Sequence, residues 1–270
     1  MSTVHFSRVS NKLTGSIRTP QSILAKDKAA ASRETQRVGS WNAATTAITK
    51  EFDFNKGLQG FKVFFTDYPS KPLSPSEPPT RKAYELAWGE KNLPAPLDTS
   101  KKGLLIEGHN YSDDLRMVAK KQIRGLKPNT TYKIDVAVSF ATNAPSKAVG
   151  IGGAPGESVF LKIGASSIEP KPVVVASDDH YYRMNLDIGN QSTKGPHGRA
   201  IGNIANGTPR TTYKVKTIQT KANQHLTAKT DNQGRLWILF GTDSGFEGKT
   251  SLYYTKLSVQ LNEQTKNPSR

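Results

Sequence analysis

The feature that most constrains this chain is a succession of short β-prone segments separated by turn-forming residues. The clearest is Tyr132–Phe140 (YKIDVAVSF), in which every second side chain from Ile134 to Phe140 is apolar. This period of two places the apolar side chains on one face of a strand. No helical period longer than about ten residues competes with the strand pattern.

Between residues 51 and 261, about a dozen segments have this character, and Gly, Pro, Asn or Asp stands between most of them. The predicted strands are Glu51–Phe54, Phe61–Thr66, Ala83–Trp88, Gly103–Glu107, Leu115–Lys121, Tyr132–Phe140, Val159–Ile163, Val173–Ala176, Tyr181–Leu186, Tyr213–Gln219, Leu226–Thr230, Leu236–Gly241 and Leu252–Leu261. Many short strands in one body of this size predict an all-β fold, a β-sandwich of jelly-roll type.

Local turn chemistry agrees with a strand-rich body. Pro128 and Asn129 form a turn directly before the long strand, and Asp231–Gly234 is predicted to be a four-residue hairpin loop. The segment Ser70–Thr80 contains four prolines, which exclude a helix or a central strand. We expect it to be an extended surface loop within the body.

The charge balance predicts an acidic partner. The 270 residues include 38 Lys and Arg against 22 Asp and Glu, a formal charge of +16. Nucleic acid, anionic polysaccharide and anionic lipid all fit this charge. The chain has no cysteine, so disulfides, cysteine-ligated metals and a cysteine nucleophile are excluded.

The charge divides the chain into three parts. Residues 1–50 form a basic arm of net charge +6, residues 51–261 are the predicted sandwich, and 262–270 are a short tail. The arm is a flexible terminus, a segment that orders on an assembly or a polyanion, or a transit peptide. Its predicted assembly or polyanion contacts are Arg8, Lys12, Arg18, Lys26, Lys28, Arg33 and Arg37.

The longest apolar runs, of about five residues, are too short for a transmembrane segment or for the core of a secretory signal peptide.

The segment RGLKPNTTYKIDVAVSF resembles the strand that carries GL-P-T-Y in galactose-binding-like, carbohydrate-binding jelly rolls. More broadly, residues 51 to 261 resemble a family of uncharacterised bacterial exported proteins and lipoproteins. This similarity lies in EFDFNKGLQGFKVFFTDYP, YELAWGEKNLP, GHNYSDDLRMVAKKQIRGLKPNTTY, VGIGGAPGESVFLKIGASSIEP, GNIANG and LFGTDSGFEGKTSLYYTKLSV. The resemblance implies a fold and an exported location, whereas this chain has a basic arm and no lipobox cysteine. The compartment therefore stays open, and a virion or another large assembly is an alternative setting.

The densest group of polar residues is His109–Asp114. In a loop, Asp113 and Asp114 can hold Ca²⁺ together with backbone carbonyls, or accept hydrogen bonds from sugar hydroxyls. The alternative is a turn in which Ser112 and Asp113 cap backbone amides.

A second acidic group follows the strand Leu236–Gly241, where Gly241–Gly248 is predicted to be a loop that presents Asp243 and Glu247. Glu157 follows a glycine-rich segment that lacks the ending of a phosphate loop. Asp113, Asp114 and Asp243 are candidate calcium ligands. Paired carboxylates from these loops would also suit a glycoside hydrolase.

Aromatic residues beside the acidic loops are candidates for stacking on sugar rings. The candidate ligand-binding residues comprise these rings and the carboxylates of the loops. They are His109, Tyr111, Asp113, Asp114, Glu157, Tyr181, Tyr182, Asp243 and Glu247. The five histidines show no metal-ligand spacing, and no G-x-S-x-G nucleophile elbow occurs.

The sequence therefore predicts a non-catalytic binding module that takes a glycan, with or without Ca²⁺. Two alternatives stay open: a structural component of a large assembly whose basic arm orders on neighbouring proteins, and a glycan-active hydrolase that pairs Asp113 or Asp114 with Asp243 or Glu247.

Overall fold

The computed structural model of the protein describes residues 47–72, 80–175, 177 and 180–264. Several predictions fall outside these residues. They concern most of the arm and most of the proline-rich loop: Arg8, Lys12, Arg18, Lys26, Lys28, Arg33, Arg37 and residues 73–79.

Sixteen strands make up most of the described chain. They are β1 (Ile48–Asp53), β2 (Lys62–Thr66), β3 (Tyr68–Pro69), β4 (Ala87–Asn92), β5 (Lys102–His109), β6 (Leu115–Ile123), β7 (Thr131–Thr142), β8 (Val159–Ser166), β9 (Pro172–Val175), β10 (Tyr181–Met184), β11 (Lys194–Gly195), β12 (Gly198–Asn203), β13 (Lys214–Gln219), β14 (Leu226–Lys229), β15 (Leu236–Ser244) and β16 (Lys249–Glu263). A 3-10 helix spans Phe54–Lys56, and the one-turn helix α1 spans Thr80–Ala83.

The strands form two large antiparallel sheets and one small one. The seven-stranded sheet has the order β13-β7-β16-β5-β4, with β1 added on β16 and β14 added on β7. The six-stranded sheet has the order β11-β12-β8-β15-β6-β2, and the small sheet has the order β3-β10-β9. From β5 to β8 the chain alternates between the two large sheets, which is the connectivity of a jelly roll. The predicted all-β sandwich is confirmed.

The core lies between the two large sheets. Alternate residues of β7, such as Ile134 and Val138, are fully buried in the same cluster as Leu161 of the opposite sheet. An aromatic group lies at its centre, where the Phe240 ring lies 5.9 Å from Phe54, 5.6 Å from Phe61 and 4.8 Å from Tyr254. The period-two pattern of the sequence therefore builds the surface on which the two sheets pack.

A second, smaller apolar cluster covers the outer face of the six-stranded sheet. Residues from the end of β10 and the segment after it pack against outward-facing side chains of β2, β6 and β15. The members are Phe64, Val118, Met184, Leu186, Ile188 and Leu239. Because of this cover, the outer face of the six-stranded sheet is largely buried.

Two local predictions are wrong. The segment AYELAW is not one strand, because α1 ends at Ala83, Tyr84 and Glu85 turn, and β4 begins only at Ala87. The turn Asp231–Gly234 is not a hairpin. It links β14 of the seven-stranded sheet to β15 of the six-stranded sheet, so it connects the two sheets of the sandwich.

Among the described residues, no helix has the length and apolarity that a membrane crossing would require.

The aromatic centre of the core gives a test of the sandwich. Phe240 is fully buried and contacts three other rings, so Phe240→Ala should lower the free energy of unfolding by about 3–5 kcal/mol. Val215, 53% exposed on β13, is the control, and Val215→Ala should cost less than about 0.5 kcal/mol. Both are measured by denaturant unfolding. Equal losses in the two variants would contradict this packing.

Candidate functional site

A chain of five aromatic rings crosses one end of the sandwich. The His109 and Tyr111 rings are stacked at 4.1 Å with an interplanar angle of 4°. The contacts continue from Tyr111 to Tyr84 at 5.4 Å, from Tyr84 to Tyr68 at 5.7 Å, and from Tyr68 to Tyr182 at 5.1 Å. We call these five residues the aromatic row. Tyr111, which the sequence analysis proposed as a ligand-binding residue, is 54% exposed. Its ring is therefore accessible to a ligand.

A buried asparagine holds the loop that carries Tyr111. The Asn110 side-chain amide donates to the carbonyls of Ser244 and Phe246 at 2.9 and 3.0 Å. Its backbone N–H donates to the Gly248 carbonyl at 3.1 Å, and its Oδ1 accepts from the Ser112 N–H at 3.1 Å. With Asn110 only 1% exposed, the neighbouring Tyr111 is presented outward from a fixed backbone.

The other end of the loop is held by strand β5 and the turn after α1. The His109 N–H donates to the Tyr84 carbonyl at 2.8 Å. The carboxylate of Glu85 lies 3.6 Å from His109 Nδ1 and 2.7 Å from Lys249 Nζ. The Tyr84 hydroxyl donates to Ser112 Oγ at 3.2 Å. These bonds fix the relative positions of the first three rings of the row.

The residues of β10 join the row to a group of charges. Tyr182 pairs with Tyr68 across β10 and β3, and the Arg183 guanidinium lies 5.0 Å from the centre of the Tyr181 ring. Nη1 of Arg183 lies 2.8 Å from Asp67 Oδ1 and 3.6 Å from Asp114 Oδ2. Tyr181, Tyr182 and Asp114, three of the sequence-predicted residues, are therefore close together.

The position of Asp243 corrects the sequence prediction. It is not in a loop but in β15, which continues to Ser244, and it is fully buried on the outer face of the six-stranded sheet. Its Oδ2 accepts from Arg116 Nε at 2.9 Å and from the Gln191 N–H at 2.8 Å. Arg116 also reaches Asp67 Oδ2 at 3.1 Å. Asp243 thus has a structural role beneath the segment that covers the sheet.

The same segment is fastened by a buried lysine. Lys162 of β8 donates from Nζ to the carbonyls of Gly189, Gln191 and Thr193 at 3.1, 2.9 and 2.9 Å. Burial lowers the pKa of Lys162 to about 8, although the charge of Asp243 opposes the shift. Lys162 carries no signal of this role in the sequence, because there it is one lysine within an apolar strand.

Asp114 and Asp243 share one environment. Burial raises the pKa of Asp114 to about 8, and the charges of Asp67 and Asp243 contribute. Asp243 lies within hydrogen-bonding reach of Asp114, and Oδ1 of each is buried without another partner among the described groups. A proton on Asp114 removes the repulsion between its carboxylate and the charges around it.

The remaining candidate carboxylates lie elsewhere. Asp113 is exposed, and both it and Glu247 lie beside Gly152: a Cβ on Gly152 would meet Glu247 Cγ at 3.0 Å and Asp113 Oδ1 at 3.3 Å. Glu157 is separate, since its Oε1 accepts from the Lys147 N–H at 3.0 Å. The predicted carboxylates are therefore divided among three places.

Calcium stays a prediction. No group of three or more His, Asp or Glu side chains suited to a metal ion occurs in the part of the chain that the structure describes. Asp243 is paired with Arg116, whereas Asp113 faces Gly152 and Glu247.

The outer face of the seven-stranded sheet carries an open polar groove of about 350 Å³. Thr220 forms its wall between β13 and β14, where its N–H donates to the Val136 carbonyl at 2.9 Å and its hydroxyl to Asp135 at 3.1 Å. The polar lining residues are Asp135, Gln219, Thr220, Ser258 and Gln260. Sequence reasoning missed this groove, because its residues come from three strands distant in sequence.

Comparison with solved structures finds matches at low sequence identity. A structure of carbohydrate-binding modules from the β-sandwich superfamily is 12% identical, with 79% of this chain and 61% of that chain covered and a TM-score of 0.35. The CBM22-1 xylan-binding domain of Paenibacillus barcinonensis Xyn10C is 8% identical, with 82% and 99% covered and a TM-score of 0.37. The K1 cleaved adhesin domain of Lys-gingipain from Porphyromonas gingivalis is 11% identical, with 81% and 99% covered and a TM-score of 0.33.

At such low identities and TM-scores, these similarities do not decide what the chain binds. No protein-family model matches the chain, and no curated protein matches it. The predicted membership of an exported bacterial family therefore stays a prediction, and the sandwich architecture rests on the hydrogen-bonded strands of the chain itself.

The raised pKa of Asp114 predicts a pH-dependent stability. The folded protein keeps this proton up to about pH 8, whereas the unfolded chain loses it near 3.8. Unfolding therefore releases a proton within that window, and raising the pH lowers stability by up to about 1.4 kcal/mol per pH unit. Asp114→Asn should gain stability relative to the unmodified protein as the pH rises from about 4 to about 8.

Denaturant unfolding at several pH values measures this effect. The matched control is Asp113→Asn, which changes the exposed neighbouring aspartate and should leave the difference constant. Parallel stability curves for Asp114→Asn and the unmodified protein would show that Asp114 is ionised in the folded state.

Proposed function

We propose that this sandwich is a non-catalytic carbohydrate-binding module whose ligand lies across the aromatic row. The observation that carries the proposal is the half-exposed ring of Tyr111, stacked on His109 and placed beside polar groups of the same loop. A pyranose ring has an apolar C–H face and a rim of hydroxyls. An exposed aromatic face with hydrogen-bonding groups next to it complements both.

Polar groups around the row match the second part of that requirement. Arg183 carries several N–H donors and lies partly exposed between Tyr181 and Asp114. Ser112 and Asp114 are half-buried in the Tyr111 loop. Because Asp114 is protonated, its carboxyl group brings no full negative charge to the loop, and its oxygens still accept hydrogen bonds from hydroxyl groups.

The rigidity of the loop supports binding. Asn110 fixes the backbone through four hydrogen bonds, and the Tyr84 hydroxyl holds Ser112. A loop that is ordered before the ligand arrives loses less conformational entropy on binding. Tyr111 therefore offers its surface to a ligand without a large ordering cost.

The burial of Asp243 supports binding over hydrolysis. Glycoside hydrolysis requires two carboxyl groups that flank the scissile bond. Asp243 is fully buried, and its Oδ2 is occupied by Arg116 and Gln191, so it does not reach a bound sugar. Without Asp243, the hydrolase alternative depends on Glu247, paired with Asp113 or Asp114, and the variant Glu247→Gln below tests it.

The proposal predicts the effect of removing one ring. With the polysaccharide that binds best on an array as the probe, Tyr111→Ala should weaken binding at least tenfold, the equivalent of about 1.4 kcal/mol. The reason is the loss of the exposed stacking surface, while Asn110 keeps the loop in place. Isothermal titration measures the affinity, and unfolding curves confirm that the variant is folded.

Two control variants test whether the glycan binds at the aromatic row or elsewhere on the protein. Tyr213→Ala removes a tyrosine that packs edge-on against Tyr253, and Gln260→Ala alters the groove of the seven-stranded sheet. Both should bind as the unmodified protein does. A loss of binding in Gln260→Ala alone would move the site to the groove. If no polysaccharide binds, the proposed function is wrong.

The same titrations address catalysis and calcium. Sugar release from any bound polysaccharide that disappears in Glu247→Gln would replace the non-catalytic proposal with the hydrolase alternative. Titrations in Ca²⁺ and in EDTA test whether the predicted calcium contributes. The assembly alternative depends on the arm, residues 1–50, and stays a prediction.

A further inference from the structure

A small cavity at the rim of the sandwich is lined by basic residues from both large sheets. The hairpin β11–β12 supplies Lys194, His197 and Arg199, and the residue just before β14 is His225. The cavity has a volume of about 150 Å³. This is below the roughly 300–1,000 Å³ of pockets that hold drug-sized ligands, so it suits a small ligand or a single group.

The hairpin places two positive charges opposite each other. Lys194 and Arg199 are partners in the antiparallel register of β11 and β12. Like charges directly opposite on a strand pair destabilise it. A bound anion would remove this repulsion, and none of the residues that line the cavity is an Asp or Glu.

Arg199 builds the cavity by joining the sheets. Its Nη1 donates to the Asn223 carbonyl at 2.9 Å and contacts the His225 carbonyl at 3.5 Å. The His225 ring is held by its Nδ1, 3.0 Å from the Ala222 carbonyl. The guanidinium and this imidazole therefore keep fixed positions on the wall between β12 and β14.

The hairpin turn adds a third group. The backbone of His197 is fixed, because its N–H donates to the Asp187 carbonyl and its carbonyl accepts from Ala165, both at 2.9 Å. Its Nδ1 is buried and makes no hydrogen bond with a described group. A buried ring nitrogen without a partner costs free energy unless a ligand or water satisfies it. One carboxylate, that of Asp187, packs on Gly195 of the hairpin, and it accepts from the Gly189 N–H at 2.7 Å.

From this arrangement we infer that the cavity binds one oxyanion group of the sulfate or phosphate class. Lys194 and Arg199 supply the charge, while His197 and His225 supply ring nitrogens as further donors when protonated. The inference does not depend on the aromatic row or on the proposed glycan function.

Nuclear magnetic resonance of the imidazole nitrogens of the full chain, at about pH 6 where imidazoles are largely protonated, tests this inference. Sodium sulfate and sodium phosphate are titrated against sodium chloride at equal ionic strength. His197 and His225 should shift along one saturable curve with sulfate or phosphate, and chloride should not reproduce it. A parallel titration with galactose 6-sulfate distinguishes a free ion from the same group on a sugar.

Two lysine variants complete the test. Lys194→Gln should weaken oxyanion binding at least tenfold, whereas Lys91→Gln, on an exposed position of β4, should not change it. Sulfate should also raise the melting temperature of the unmodified protein more than that of Lys194→Gln, because a ligand of the folded state stabilises it. Equal responses in both variants, or shifts that chloride reproduces, would mean an adventitious ion only and would overturn the inference.

Discussion

The candidate site depends on one buried guanidinium. Arg116 lies on the outer face of the six-stranded sheet and bridges Asp243 of β15 and Asp67 at the end of β2. It also reaches the segment above the sheet through the carbonyl of Gly189 and the side chain of Asn190. A buried charge is tolerated only when its partners are close and well oriented, so this residue fixes the position of each element that it touches.

This constraint reaches the aromatic row through Arg183. That side chain contacts both Asp67 and Asp114. Because Arg183 follows Tyr182 in β10, the same contacts help to fix the position of the row. Burial of Asp114 then makes a carboxyl group that keeps its proton near neutral pH. The groups available beside the row are therefore a protonated carboxyl and the partly exposed guanidinium of Arg183, which suit the recognition of hydroxyl groups.

The strands were predictable because a strand with one buried face has apolar residues at every second position, as in Tyr132–Phe140. The fate of Asp243 was not, because a carboxylate buried on the outer face of a sheet requires Arg116 and Gln191, which are distant in sequence. Tyr111 and Asp114 were found through their neighbours in one loop. Tyr68 and Tyr84 were missed, since only the pairing of β3 with β10 and the turn after α1 place them in the row.

The central claim, that a glycan lies across the aromatic row, is tested most directly by nuclear magnetic resonance of the ring carbons of the nine tyrosines. Saturation with the best-binding oligosaccharide should shift the resonances of Tyr111, Tyr84 and Tyr182 and leave those of Tyr213 and Tyr253 in place. Shifts confined to Tyr213 and Tyr253, or no shift of Tyr111 at saturation, would contradict the account.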